Sequence, residues 1–150
     1  MQLFENADPI EVESYAALEA LDGASFPVVK DFRVCLEHGG GLGWHVRLVS
    51  SSRGLLAGFP WWDHADRALK SWSEDDVFNG SPEAPLDRSE EGWQILIFER
   101  QGHVYVLEGE EPGVRQFRRY FAVPADKWVA AWMRAVDACK AGKPRDVAVP

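Results

Sequence analysis

The amino-acid sequence predicts an α+β fold in which residues 1–150 form a single domain. We expect a mostly antiparallel sheet of about five or six strands with two or three helices packed on it. Two observations favour this fold. Short segments of alternating apolar and polar residues follow one another with only a turn between them, which is typical of strands joined by hairpins. Other segments carry apolar residues at helical spacing. A chain of 150 residues is long enough to bury one core.

The first half of the chain contains a predicted hairpin and a third strand. From Val28 to Glu37 the pattern has period two, with Phe32, Val34 and Leu36 on one face. A glycine-rich break at 39–43 follows, and Trp44–Leu48 alternates again. The break therefore predicts a hairpin loop, and Leu55–Phe59 is the expected third strand.

The second half contains the strongest strand pattern. Trp93–Glu99 and His103–Glu108 are rich in β-forming residues and flank Gly102, which predicts a hairpin. A further strand is expected at about Arg115–Val123, where aromatic and basic residues alternate.

Three segments have the spacing of helices. Residues 9–22 and 65–72 each carry an apolar stripe, and residues 73–92 between the second helix and the hairpin predict a long surface loop. Residues 125–140 form the clearest helix, with Gly142 and Pro144 as its stop. We expect this helix to pack against the sheet that contains the 93–108 hairpin, through Trp128, Trp132, Val136 and Cys139.

Composition and charge exclude several classes of function. The net charge is −8, which opposes binding to nucleic acids and to anionic membranes and favours a basic protein partner. The N-terminus has neither the basic start nor the apolar segment of a signal peptide, and no apolar run approaches the length of a membrane span. A cytoplasmic location is the expectation.

The acidic residues concentrate in one part of the chain. Residues 74–111 contain eleven acids and two bases, whereas residues 112–150 contain three acids and eight bases. Such a run is either a solvated face or a patch that docks a basic surface, and the sequence leaves both interpretations open.

No motif for catalysis, metal binding or phosphate binding is complete. Cys35 and His38, with His45 across the hairpin, do not make a ligand set, and the serines at 50–52 lack the strand–turn–helix context of a nucleophile. The glycines at 39–43 precede a strand, so no helix N-terminus faces a phosphate there. We expect no enzymatic activity, no cofactor and no metal.

Cys35 and Cys139 are expected to be reduced, packed thiols.

The C-terminal part resembles small immunity proteins that neutralise bacterial polymorphic toxins. The resemblance covers about sixty residues: the Trp93–Glu108 hairpin, the strand after it, the stretch Phe121–Trp128 with its Val-Pro junction, the alanine-rich final helix and Gly142-Lys143-Pro144. It is a likeness of pattern to several such families, and it assigns no particular one. It implies a non-enzymatic cytosolic protein that binds one cognate toxin domain, often through an acidic surface over the toxin's active site.

Three hypotheses remain open from the sequence. The first is a protein-binding inhibitor of the immunity type, the second a small-molecule-binding or regulatory adaptor domain, and the third an enzyme whose site is dispersed along the chain. The first predicts an acidic binding surface with one of two tryptophans as its aromatic anchor. The residues expected in that surface are Trp61, Trp62, Asp75, Asp76, Glu90, Glu110 and Glu111.

Overall fold

A computed structural model describes residues 4–38, 44–60, 73–77, 79–110 and 116–141. Nine strands and one α-helix lie within these ranges. The strands are β1 (Ile10–Glu11), β2 (Phe32–His38), β3 (Trp44–Ser50), β4 (Gly54–Pro60), β5 (Leu86–Asp87), β6 (Gln94–Arg100), β7 (His103–Gly109), β8 (Gln116–Phe117) and β9 (Arg119–Pro124), and the helix is α1 (Ala125–Lys140). Short 3-10 turns occur at Tyr15–Leu18, Gly23–Ser25 and Glu74–Asp76.

The fold is mixed α+β, as the sequence predicts. The strands pair antiparallel in three sheets, with the orders β1-β8, β2-β3-β4 and β5-β6-β7-β9. The expectation of one sheet and two or three helices is wrong in detail, because the described ranges contain three sheets and one α-helix. The helix expected at 65–72 lies outside the described residues.

Residues 9–22 do not form the expected helix, and their hydrogen bonds explain why. Ile10 pairs with Phe117 in the small β1-β8 sheet. Farther along, the Arg100 guanidinium donates to the backbone carbonyls of Leu18 and Leu21 at 2.8 and 2.9 Å. The extended pairing of Ile10 and Glu11 removes the first turn of the expected helix, and the guanidinium satisfies carbonyls at the end of the segment. Tertiary contacts override the local helical pattern here.

By its internal packing the chain divides into two compact units. We call them the meander unit (Phe4–Lys30 and Phe78–Ala125) and the helix unit (Met1–Leu3, Asp31–Val77 and Asp126–Pro150).

The meander unit is built on the β5-β6-β7-β9 sheet. Strands β6 and β7 are joined by a two-residue turn in which Gln101 and Gly102 both have positive φ, as a type I′ turn requires. One core cluster combines side chains from this sheet with residues of the N-terminal segment. Its buried members are Val12, Leu18, Phe26, Leu96, Phe98, Tyr105, Leu107, Phe117, Tyr120 and Ala122.

The helix unit contains the β2-β3-β4 sheet and almost all of α1. The Phe32 ring of β2 stacks on the Trp128 indole, with ring centroids 5.2 Å apart and planes 11° from parallel. Trp132 lies one helical turn farther on and is 1% exposed. The helix therefore packs with the sheet of 32–60. Its packing against the sheet of the 93–108 hairpin stays a prediction. Within the described residues, no helix is long and apolar enough to cross a bilayer.

Candidate functional site

The structure distributes the predicted acidic site over both units. Asp75 is exposed in the 3-10 turn of the helix unit, and the backbone of Asp76 ends that turn. Glu90 and Glu110 are exposed in the meander unit. Trp61, Trp62 and Glu111, which include both candidate aromatic anchors, lie outside the described residues.

Glu90 and Glu110 lie at the same end of the β6-β7 hairpin. The backbone of Glu90 exchanges two hydrogen bonds with that of Trp93, at 2.8 and 3.0 Å, in a tight turn that leads directly into β6. The first residue of β6, Gln94, pairs with Gly109, and Glu110 follows immediately. Both carboxylates are therefore at the open end of the hairpin, opposite its Gln101-Gly102 turn.

The net charge is carried by one unit only. The sequence segments of the meander unit contain fourteen acidic and six basic residues, whereas those of the helix unit contain ten of each. The whole charge of −8 therefore belongs to the meander unit, and the helix unit is neutral. The run of acids at 74–111 indicated this asymmetry only in part, because Glu74, Asp75 and Asp76 fall in the neutral unit.

Acidic side chains also meet one another in the meander unit. A hydrogen bond with Glu83 and the repulsion between the two charges raise the pKa of Glu19 above its usual value. The same hydrogen bond lowers the pKa of Glu83. Two carboxylates in contact disfavour each other's charged form, so one of them binds a proton more readily than an isolated carboxylate does.

Glu108, at the open end of the hairpin, is buried and neutralised by an ion pair. Glu108 and Arg119 stand opposite each other on β7 and β9, and Arg119 Nε donates to Glu108 Oε1 at 2.8 Å. Arg119 Nη1 also lies 3.5 Å from Glu5 Oε1, at the surface. Sequence reasoning missed this ion pair because the two residues become neighbours only through the β7-β9 register, for which the sequence has no local signal.

A cleft of about 450 Å3 opens beside this ion pair. Its walls come from the N-terminal segment, the end of β7, β8 and the start of β9. Gly109 permits close packing there, since a Cβ on it would collide with the Gln116 carbonyl oxygen. The lining residues are Glu5, Pro9, Gly109, Glu110, Gln116, Arg118 and Arg119.

The serine run at 50–52 binds a carboxylate in the helix unit. Asp31 accepts hydrogen bonds from the hydroxyls of Ser50, Ser51 and Ser52 at 2.8 to 2.9 Å, and from the Ser52 backbone N–H at 2.8 Å. Desolvation raises the pKa of Asp31, but the hydrogen bonds from Ser50, Ser52 and Ser51 outweigh it and leave the pKa well below its usual range. The hydroxyls thus hold the turn between β3 and β4 as donors to Asp31, and the lowered pKa makes that carboxylate a weak base.

Both cysteines are free thiols. Cys35 is buried in β2, and burial raises the pKa of the half-buried Cys139 thiol to about 11. A thiol with that pKa is protonated at neutral pH and is therefore a poor nucleophile. Among the described residues, no three His, Cys, Asp or Glu side chains come together in a group that could hold a metal ion.

Comparison with known proteins provides no relative from which a function could be transferred. No protein-family model matches the chain, and neither the curated proteins nor the solved structures include one with significant similarity to it. The interpretation of the site therefore rests on its own geometry and charge.

Proposed function

We propose that the protein is a non-enzymatic inhibitor that binds another protein through the acidic surface of its meander unit, as toxin-neutralising immunity proteins do. The observation that carries this proposal is the charge asymmetry: the meander unit accounts for the whole net charge of −8. A basic protein surface is attracted to such a unit and not to the neutral helix unit. A toxin domain that acts on nucleic acid is basic because it must neutralise phosphates. The same requirement makes this acidic chain unsuited to binding nucleic acid.

The open end of the β6-β7 hairpin is the proposed centre of the interface. Glu90, Glu91 and Glu110 are exposed there, and no cationic side chain of the described residues neutralises them. Unpaired surface carboxylates keep their full charge for a partner, whereas Glu108 is already committed to Arg119. That Asp75, Asp76 and an aromatic anchor at Trp61 or Trp62 also bind the partner stays a prediction from the sequence.

The direct test is protection of bacterial cells from a toxin. The genes beside that of this chain are first searched for one that encodes a toxin domain. That domain is co-expressed with the chain, and growth is followed together with binding of the purified proteins. We expect wild type to restore growth and to bind the toxin domain with a stoichiometry of one to one. Replacement of both Glu90 and Glu110 by Gln should weaken binding, because it removes charge without altering the shape of either side chain.

The matched control removes the same charge from the neutral unit. Asp126 and Asp137 are exposed on α1, and changing both to Asn should leave binding and protection as in wild type. A wild-type chain that neither binds the toxin domain nor protects the cells would refute the inhibitor proposal. Equal losses in the two double variants would refute the assignment of the interface to the meander unit.

A further inference from the structure

The cleft beside the Arg119–Glu108 ion pair contains one available charge of each sign. Two carboxylates and two guanidiniums line it, but Glu5 and Arg119 already lie 3.5 Å apart. Glu110 is exposed, and its carboxylate has no hydrogen-bonding or ionic partner among the described residues. Within the part of the chain that the structure describes, the Arg118 guanidinium makes one hydrogen bond, from Nη1 to the Ala7 carbonyl at 3.1 Å. Among these residues, one carboxylate and most of one guanidinium are therefore available to a ligand.

Several lining residues are held in place by strand pairing and hydrogen bonds. The Arg119 side chain is only 11% exposed, is bound to the 6% exposed Glu108, and is held in register by the pairing of β7 with β9. The Gln116 amide donates to Glu11 Oε1 at 2.7 Å, and Glu11 pairs with Gln116 across the β1-β8 sheet. Arg118 is itself held in place by its bond to Ala7. A site with fixed walls loses little free energy to ordering when a ligand binds.

We infer that this cleft binds a small zwitterion, a molecule that carries an ammonium group and a carboxylate, such as a free polar α-amino acid. The ammonium group binds to the Glu110 carboxylate, and the ligand carboxylate accepts hydrogen bonds from the Arg118 guanidinium, the geometry that arginine favours for carboxylates. A simple cation would be repelled by the two arginines, and a simple anion would be repelled by the two glutamates. Only a ligand with both charges leaves neither free group unpaired.

Size and polarity agree with a ligand of this kind. The cleft volume of about 450 Å3 falls within the range of small-molecule sites, about 300–1,000 Å3. It exceeds the volume of the smallest amino acids, so a longer side chain has room. Apart from Pro9 and Gly109, every lining residue carries a polar side chain, which favours a polar ligand over an aliphatic one. This inference does not depend on the proposed binding of a toxin.

The test uses isothermal titration calorimetry of the full chain with free L-amino acids. The tightest ligand is then compared with two of its derivatives, the C-terminal amide, which lacks the carboxylate, and the N-acetyl form, which lacks the ammonium group. We expect the zwitterion to bind and each derivative to lose affinity by at least about tenfold, because each leaves one charged group of the site unpaired.

Two variants assign the charges to residues. Glu110→Gln should weaken binding of the zwitterion about tenfold or more, and so should Arg118→Gln, whereas Arg118→Lys should retain part of the affinity because it keeps the charge. Glu13→Gln and Arg33→Gln change exposed residues that do not line the cleft and should bind as wild type. Glu110→Gln removes no contact within the described fold, so its loss of affinity cannot come from unfolding.

Three results would overturn the inference. The first is no detectable binding of any amino acid at millimolar concentration. The second is equal binding of the zwitterion and its two derivatives. The third is a loss of affinity in only one of the variants Glu110→Gln and Arg118→Gln, since that result would define a site for a single charge.

Discussion

Glu108 and Arg119 form a buried ion pair in which Arg119 Nε lies 2.8 Å from Glu108 Oε1. The side chains are 6% and 11% exposed, so both charges have lost most of their hydration. Each then depends on the other, because an isolated buried charge has neither water nor a counterion to stabilise it. The pair also joins β7 to β9 at the end of the sheet where the cleft opens.

Replacement of Glu108 by Gln should therefore destabilise the protein strongly. The variant leaves the Arg119 guanidinium buried without its main counterion, and we expect the free energy of unfolding to fall by about 3–5 kcal/mol. Urea denaturation followed by tryptophan fluorescence measures this change. Arg47→Gln is the control, because Arg47 and Glu37 form an exposed ion pair at 3.8 Å whose loss should cost at most about 1 kcal/mol. Equal losses in the two variants would show that the Glu108 pair is solvated.

The Asp31–serine cluster should make stability depend on pH. Asp31→Asn replaces a carboxylate that accepts from three hydroxyls and one backbone N–H, and we expect a cost of about 1–3 kcal/mol at neutral pH. Urea denaturation at pH 7 measures it. Ser25→Ala is a suitable control, since the Ser25 hydroxyl makes a single exposed hydrogen bond to the Asp22 carbonyl.

The direction of the pH effect follows from the lowered pKa of Asp31. A group whose pKa is lower in the folded state stabilises the fold fully above its pKa in the unfolded chain, about 4, and loses that contribution as the pH falls toward the folded value. The difference in stability between wild type and Asp31→Asn should thus be constant from about pH 7 to 5 and shrink below about pH 4. A difference that grew in acid would contradict this account.

Trp132 should be essential to the helix unit. Its side chain is 1% exposed, and its ring lies 5.9 Å from that of Trp128, which stacks on Phe32. Trp132→Ala removes a large buried ring and should lower the free energy of unfolding by about 3–5 kcal/mol. Val28→Ala is the comparison, because Val28 is 42% exposed and its truncation should cost less than about 0.5 kcal/mol. An unchanged unfolding midpoint for Trp132→Ala would show that α1 is peripheral.

The elements that could be predicted from the sequence are those whose pattern is local. The β6-β7 hairpin needs only two apolar runs and a turn residue that tolerates positive φ, and α1 needs only its apolar stripe and a stop signal. Residues 9–22 also have a helical pattern, but Arg100, some eighty positions away, binds the carbonyls of that segment. A pattern within residues 9–22 alone cannot predict a contact with a residue so distant in the sequence.

In the candidate site, too, features with a local sequence pattern could be predicted and contacts between distant residues could not. The excess of acids was visible in the sequence, as was the exposure of Glu90 and Glu110 beside a predicted hairpin. The proximity of Glu110 to Arg118 and Arg119 depends on how β8 and β9 return along the end of β7, which follows from strand register. The serine run was also visible in the sequence, but its hydrogen-bond acceptor Asp31 is about twenty residues away and became apparent only in the structure.

The association rate of the protein with a basic partner should depend on its exposed negative charges. Attraction between opposite charges acts before contact and raises the association rate, and salt screens it because the Debye length is only about 8 Å at physiological ionic strength. Reversing both Glu90 and Glu110 to Lys should lower the association rate with the toxin domain about tenfold at low salt. Asp75 and Asp76 form a local acidic run with Glu74 although their unit is neutral overall, so their reversal should slow association too. Asp126 and Asp137 alternate with basic residues, and their reversal should have little effect. Exposed charges contribute little to stability, so the Glu90 and Glu110 variant and the Asp126 and Asp137 variant should unfold at nearly the wild-type urea concentration. The measurement is stopped-flow binding at two salt concentrations, and the differences between variants should shrink at the higher one. Association of the Glu90 and Glu110 variant at the wild-type rate in low salt would remove the open end of the hairpin from the encounter surface.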